Sequence, residues 1–215
     1  MHLARRAWCR TYQTVFRIAL PVLPYTEPRI LEHAEDVLAV LQKRSIQKVL
    51  IVTDPGIARL GLTASLERAL TAQGIGVTVY AETRMNPTVS NVEEAAALYR
   101  ESDCQAIIGF GGGSAMDCAK GVGARIAQPN KPINKMRGLL RVHRLLPLLI
   151  AVPTTAGTGS EVTLAAVITD DETHYKYPIN DFVLIPRFAV HDPEFTCGLP
   201  ASITGQTGMD ALTHA

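Results

Sequence analysis

Short apolar runs recur along this chain, each bounded by glycine, proline or aspartate, with helically spaced segments between them. Lys48–Thr53 (KVLIVT), Ala106–Phe110 (AIIGF) and Leu145–Val152 (LLPLLIAV) are apolar almost throughout, as expected of strands covered on both faces. Gly76–Tyr80 (GVTVY) reads as a further strand. Val162–Thr169 alternates enough to be another and stops at the turn Asp170-Asp171. Phe188–Val190 is a short strand ended by Asp192-Pro193. Between these runs, Glu27–Lys43 places Ile30, Leu31, Ala34, Val37, Leu38 and Leu41 on one side of a predicted helix. Ala58–Gln73 is helical with a break near Gly61, and Val92–Arg100 is helical. The stretch after Gly113 presents Ala115, Met116, Ala119, Val122 and Ala124 as a small apolar face. Gln128–Arg144 is basic and rich in proline and glycine, an expected exposed connection, and Pro200 opens a last helix that runs to the end. Strand–helix alternation of this kind predicts a doubly wound α/β domain with a mainly parallel sheet.

Candidate chemistry sits where these strands stop. After Ala106–Phe110 the chain turns through Gly111, Gly112 and Gly113 into a helix, with Ser114 as expected N-cap and Asp117 as the distal member of a shortened capping box. The amides and positive dipole end at Gly113–Ser114 would make an anion site. The pattern is neither G-x-G-x-x-G nor a Walker loop, so a plain connecting turn stays open. Asp54 and Asn86 also lie just past strand ends, where such sheets bind ligands. Asp54 fits a ribose contact that favours NAD over NADP, and equally an Asp-Pro-Gly turn. The loop Pro153–Glu161 (PTTAGTGSE) is dense in hydroxyls, suited to phosphate, ribose or carboxamide oxygens or to bonding its own backbone. Lys176 taken alone reads as a surface lysine. Asp210 and His214 stand one helical turn apart, as two ligands of one divalent ion or as a surface pair; a Zn²⁺ or Fe²⁺ site needs at least a third protein ligand.

Composition narrows the classes of partner. With 21 basic and 20 acidic side chains in 215 residues, the net charge of +1 gives no reason to expect nucleic acid or an acidic membrane surface. No apolar run is long enough for a membrane span. The four cysteines are widely spaced without a C-x-x-C pair, as expected of reduced thiols in a cytoplasmic protein. Residues 1–26 hold Arg5, Arg6, Arg10 and Arg17 but no acidic residue. They read as a cationic amphipathic helix docking on the body or on a second subunit, ended by Pro21 and Pro24.

Together the motifs resemble those of the iron-containing (group III) alcohol dehydrogenase family. The matching pieces are GGGSAMD at 111–117, PTTAGTGSE at 153–161, DPE at 192–194, LP at 199–200 and TGMDALTHA at 207–215. The resemblance covers about residue 27 to the end. It implies a Rossmann-like domain over 27–199 and, from 200 to 215, the first helix of an all-helical metal-binding domain. It implies cofactor contacts from Asp54, Asn86, Gly112, Gly113, Ser114, Thr154, Thr155, Thr158, Thr163 and Lys176, with NAD preferred to NADP. Asp210 and His214 match the first two of four ligands to Fe²⁺ or Zn²⁺. The expected activity is hydride transfer between NAD(H) and a small alcohol or aldehyde, in a homo-oligomer. The other two ligands of that family lie on later helices, so this chain is expected to be truncated and inactive alone. A non-catalytic nucleotide-binding or interaction module, and a glycerol dehydrogenase-like enzyme, are the alternatives.

Overall fold

The computed structural model describes residues 8–11, 13–14, 17 and 24–214. Of the basic N-terminal segment, the described residues from Trp8 to Arg17 are helical with exposed side chains, and residues 24–26 are described and exposed; the remainder, including Arg5, Arg6 and Pro21, lies outside the described residues.

Among the described residues, nine strands form two sheets. They are β1 (Arg29–Leu31), β2 (Lys48–Val52), β3 (Gly76–Tyr80), β4 (Ala106–Gly111), β5 (Gly138–Leu139), β6 (Leu148–Pro153), β7 (Ala165–Thr169), β8 (Lys176–Asn180) and β9 (Phe188–Val190). The helices are α1 (Asp36–Lys43), α2 (Pro55–Arg59), α3 (Ala64–Ala72), α4 (Val89–Glu101), α5 (Gly113–Ala127), α6 (Glu194–Cys197) and α7 (Ala201–His214). The main sheet has six strands in the order β1-β9-β6-β4-β2-β3, every pair parallel. A smaller sheet, β5-β8-β7, packs against α5 through Ala166, Ile168 and Ile179.

The continuous apolar strands are explained by two cores. Along β2, Val49 and Ile51 point to one face, and Leu50 and Val52 to the other. The first face meets α1, α3 and α6 through Val37, Leu41, Leu66, Leu70 and Phe195. The second meets α4 and α5 through Val92, Ala95, Cys118, Ala119 and Val122. Gly109 on β4 lets α5 lie close to the sheet, since a Cβ there would come within 2.9 Å of the Ala119 Cβ.

Several local expectations shift in the folded chain. Glu27–Lys43 is not one helix: Arg29–Leu31 is an edge strand bonded to Phe188–Val190, and helix begins only at Asp36. Ile30 is half exposed there, so its helical spacing with the residues after it was coincidental; the open edge of β9 offers hydrogen bonds that outweigh local preference. Gln128–Arg144 is not merely exposed, because Ile133, Met136 and Val142 are fully buried in the second core. The strand at 162–169 starts at Ala165, after a single 3-10 turn at Ser160–Val162, and pairs with β8, which the sequence pattern did not reveal.

Candidate functional site at the switch point of the sheet

The connections from β2 and from β4 leave their strands in opposite directions, β2 toward β3 and β4 toward β6. The crevice between β2 and β4 is therefore the switch point, where doubly wound sheets receive ligands. Asp54 follows the end of β2, and Gly111–Gly113 close β4.

Asp54 serves as a cap and also as a wall. Its Oδ1 accepts from the amides of Gly56 at 2.8 Å and Ile57 at 3.0 Å, capping α2. Its Oδ2 lies against Gly111, 3.4 Å from where a Cβ would stand. Gly111 has φ +144°, a conformation that side-chain-bearing residues rarely adopt. Both readings of Asp54, turn former and crevice carboxylate, are thus compatible with one geometry.

The cap of α5 differs from expectation. The N-cap is Gly112, with no side-chain hydrogen bond, and Ser114 stands inside the first turn. Without a side-chain acceptor, the first amides of α5 face the crevice as donors to an external group. Ser114 Oγ instead accepts from the amide of Asn86 at 3.2 Å, bringing that loop onto the helix start. Asn86 is in the left-handed region at φ +62°, which asparagine tolerates better than most residues. Asp117 does not reach back to the cap. It accepts from Ser160 Oγ at 2.7 Å and from the Val167 amide at 3.0 Å. Burial raises its carboxyl above the ordinary value, opposed by Lys120 and these two bonds.

The hydroxyl loop faces the glycine turn. The Thr154 amide donates to Gly111 O at 3.0 Å. Cβ atoms built at Gly112 and Gly113 would lie 3.5 Å from Thr155 Oγ1 and 3.1 Å from Thr158 Cγ2, respectively. Thr155 Oγ1 is buried without a hydrogen-bond partner among the described residues. A buried unpaired hydroxyl is costly, so this atom is suited to a polar group entering the crevice. Thr163 differs: its Oγ1 is already held by Lys120 Nζ at 3.0 Å and donates to Ser160 O at 3.4 Å. Lys176 opens β8 and is exposed. Its cross-strand partner Thr169 donates to Pro87 O at 2.8 Å, which puts β8 on the rim that carries Asn86.

On its other side the hydroxyl loop meets α7. A Cβ at Gly157 would collide with Thr207 O, so the loop and this helix are in direct contact. A cavity of about 470 Å³ lies beside this contact, lined by Thr155, Glu161, His191, Asp192 and Ala211 among others. Asp210 and His214 are both within α7, and Asp210 is half-buried. Among the described residues no cluster of three or more His, Cys, Asp or Glu side chains could hold a metal ion. Thr207 and Asp210 mark the half-buried side of α7, whereas Met209 and Leu212 are exposed.

Sequence patterns missed Lys120. It is fully buried on α5, and desolvation lowers its ammonium to about 8 against the pull of Asp117 and Glu161. Its signal was its place beside Ala119 and Val122, among positions expected to pack on the sheet. They also missed His191, whose Nε2 stands 3.9 Å from Glu161 Oε1 at the edge of the cavity.

A parallel sheet with a glycine turn at its switch point defines the doubly wound α/β class. The sequence pattern of one such group, iron-containing alcohol dehydrogenase, matches residues 27–193, and the chain belongs to that family. It is 39% identical over 208 residues to alcohol dehydrogenase 4 of Schizosaccharomyces pombe, covering 95% of this chain and 49% of that protein. It is 41% identical over 177 residues to 4-hydroxybutyrate dehydrogenase of Cupriavidus necator, covering 80% of this chain and 45% of that protein. The crystal structure of a 1,3-propanediol oxidoreductase superposes with a TM-score of 0.83 at 34% identity, covering 88% of this chain and 50% of that one. The chain thus spans about half the length of the relatives it matches.

Proposed function

We propose that this chain carries the dinucleotide-binding half of an oxidoreductase that moves hydride between NAD(H) and a small alcohol or aldehyde. The observation that carries this reading is the convergence of Asp54, the uncapped glycine turn and Thr155 on one crevice. Amides of Gly112, Gly113 and Ser114 would donate to the pyrophosphate. Asp54 Oδ2 would accept from an adenosine ribose hydroxyl, which disfavours the 2′-phosphate of NADP. Asn86 and Lys176 would border the same rim. Thr154, Thr155 and Thr158 would line the opposite wall and orient the nicotinamide end, with Thr163 holding the loop behind them. The nicotinamide, when bound, supplies the hydride acceptor or donor.

Asp210 and His214 would provide two ligands to Fe²⁺ or Zn²⁺. The ion, when bound, would supply a Lewis acid for the alcohol oxygen. Two donors do not complete a site, so further ligands must come from outside the described residues. Four cysteines without a disulfide support a reducing, cytoplasmic setting.

The test is a fluorescence titration of this chain with NADH, followed by aldehyde-dependent NADH oxidation under anaerobic conditions with Fe²⁺ or Zn²⁺ added. Binding without turnover is the expected result. Turnover would show that the missing ligands are supplied within an assembly of this chain, and absence of binding would remove the cofactor reading. In the same assay Asp54→Gly should narrow the preference for NADH over NADPH by about tenfold, as expected for one lost charge-assisted hydrogen bond. The same change should cost only about 0.3 kcal/mol of stability, because glycine is itself a tolerated N-cap of α2. Unchanged relative affinities would take Asp54 out of the cofactor site.

A further inference from the structure

Two side chains, one helical turn apart on α5, grip the downstream end of the hydroxyl loop from inside the protein. Asp117 holds Ser160 Oγ and the Val167 amide. Lys120 Nζ donates to Thr163 O at 2.8 Å, Thr163 Oγ1 at 3.0 Å and Ala165 O at 2.8 Å. An ammonium has three protons, so every one is committed to residues 163–165. Burying a charge costs free energy unless it is paired and fully bonded, and α5 is otherwise lined with small apolar residues on this face. The upstream end of the loop is anchored at Thr154, whose N–H donates a hydrogen bond to Gly111 O. Between the two anchors lie Thr155 and Thr158, next to Gly157 and Gly159, both at positive φ. Without the downstream anchor, only Thr154 and the contact of Gly157 with α7 would hold these hydroxyls near Gly112 and Gly113.

We infer that Asp117 and Lys120 form a positioning clamp that holds the hydroxyl loop against the glycine turn and thereby sets the affinity for the dinucleotide. The inference rests on the cofactor reading of the crevice given above. Lys120 acts through Thr163 and Ala165 and does not itself touch the ligand.

The clamp has a pH signature. The titratable groups facing Lys120 are Asp117 on its own helix and Glu161 from the loop. Above pH about 8 the amine is neutral and keeps two protons for three acceptors, so one bond to the loop is lost. NADH affinity should therefore fall as pH rises through this range. Stability should move the other way for this group. The folded chain releases the proton near 8 while the unfolded lysine holds it to 10.5, so within that window rising pH favours the folded state. A residue that served only the stability of the fold would not make affinity and stability diverge.

The experiment is a titration of the full chain with NADH from about pH 6.5 to about pH 9.5, with thermal melts at each pH. Wild type should lose about tenfold in affinity across the range. Lys120→Met should bind about tenfold more weakly at neutral pH and show a flat profile. Asp117→Asn keeps the shape but removes a charge that supports the ammonium, so the inflection should move to lower pH. Hydrogen exchange of amides 160–165 should speed up in Lys120→Met while β4 stays protected. Should Lys120→Met fail to fold, Ser160→Ala, which removes one arm only, should weaken NADH binding by about threefold. Wild-type NADH binding that is pH-independent, or equal in the folded variants, overturns the clamp alone. Failure of wild type to bind NADH overturns the cofactor reading, and the affinity claim with it.

Discussion

Gly113→Val should weaken NADH binding by about thirtyfold or more while leaving the fold intact. The new Cβ would stand 3.1 Å from Thr158 Cγ2 and 3.3 Å from its Cβ, closer than most side-chain contacts, so Thr158 would have to give way. Its two methyl groups would enter the gap between the glycine turn and the hydroxyl loop, the space proposed for the pyrophosphate. The loop must then swing away, or the first amides of α5 must lose their line of approach. The backbone at Gly113 is already helical, so valine, a better helix former than glycine, adds no helix-propensity cost. Fluorescence titration reads the affinity, and circular dichroism melting separates it from stability. Gly205→Ala on α7 is the control: nothing lies within 4 Å of that Cβ, so binding should be unchanged and stability slightly raised. If Gly113→Val binds NADH like wild type, the dinucleotide does not cross this turn.

Phe110→Ala should be among the most destabilising single changes in the domain, at about 3–5 kcal/mol. Phe110 is fully buried at the end of β4, and its ring meets Phe195 edge-on at 4.9 Å. Truncation removes that aromatic contact and leaves a cavity between β4 and α6 that close-packed strands on either side cannot fill. For a domain of this size the melting temperature should drop by roughly 10 °C. Met85→Ala, at an 86% exposed position, should change stability by less than about 0.5 kcal/mol. A Phe110→Ala melt within a degree or two of wild type would mean that the two ring-bearing elements do not pack as described. Phe110 also precedes Gly111, so the surviving folded fraction should show weakened NADH binding, measured well below the transition.

Much of this architecture was legible in the chain because it rests on local periodicity. KVLIVT, GVTVY and AIIGF form strands where their apolar runs place them, and the glycine turn joins β4 to α5. Continuous apolar runs imply cover on both faces, and such cover implies helices on both sides of a parallel sheet. Asp54, Asn86 and the glycine turn could be singled out because turns at strand ends are written in glycine, proline, aspartate and asparagine, whereas individual cofactor roles for Thr154, Thr155 and Thr158 came only from the family resemblance.

What the chain alone determined about this protein is its alternation of strands and helices, its turn chemistry and its family. Each depends on residues near one another in sequence or on motifs of fixed spacing. Only the tertiary structure decided that Arg29–Leu31 is a strand, because its hydrogen-bond partners at 188–190 are distant in sequence. It alone moved Asp117 from a capping role to the grip on Ser160, and it alone showed that Lys120 is a buried cross-link. Long-range hydrogen bonds leave no periodicity behind, and a lysine or aspartate on a helix carries no local mark of which acceptor or donor will meet it.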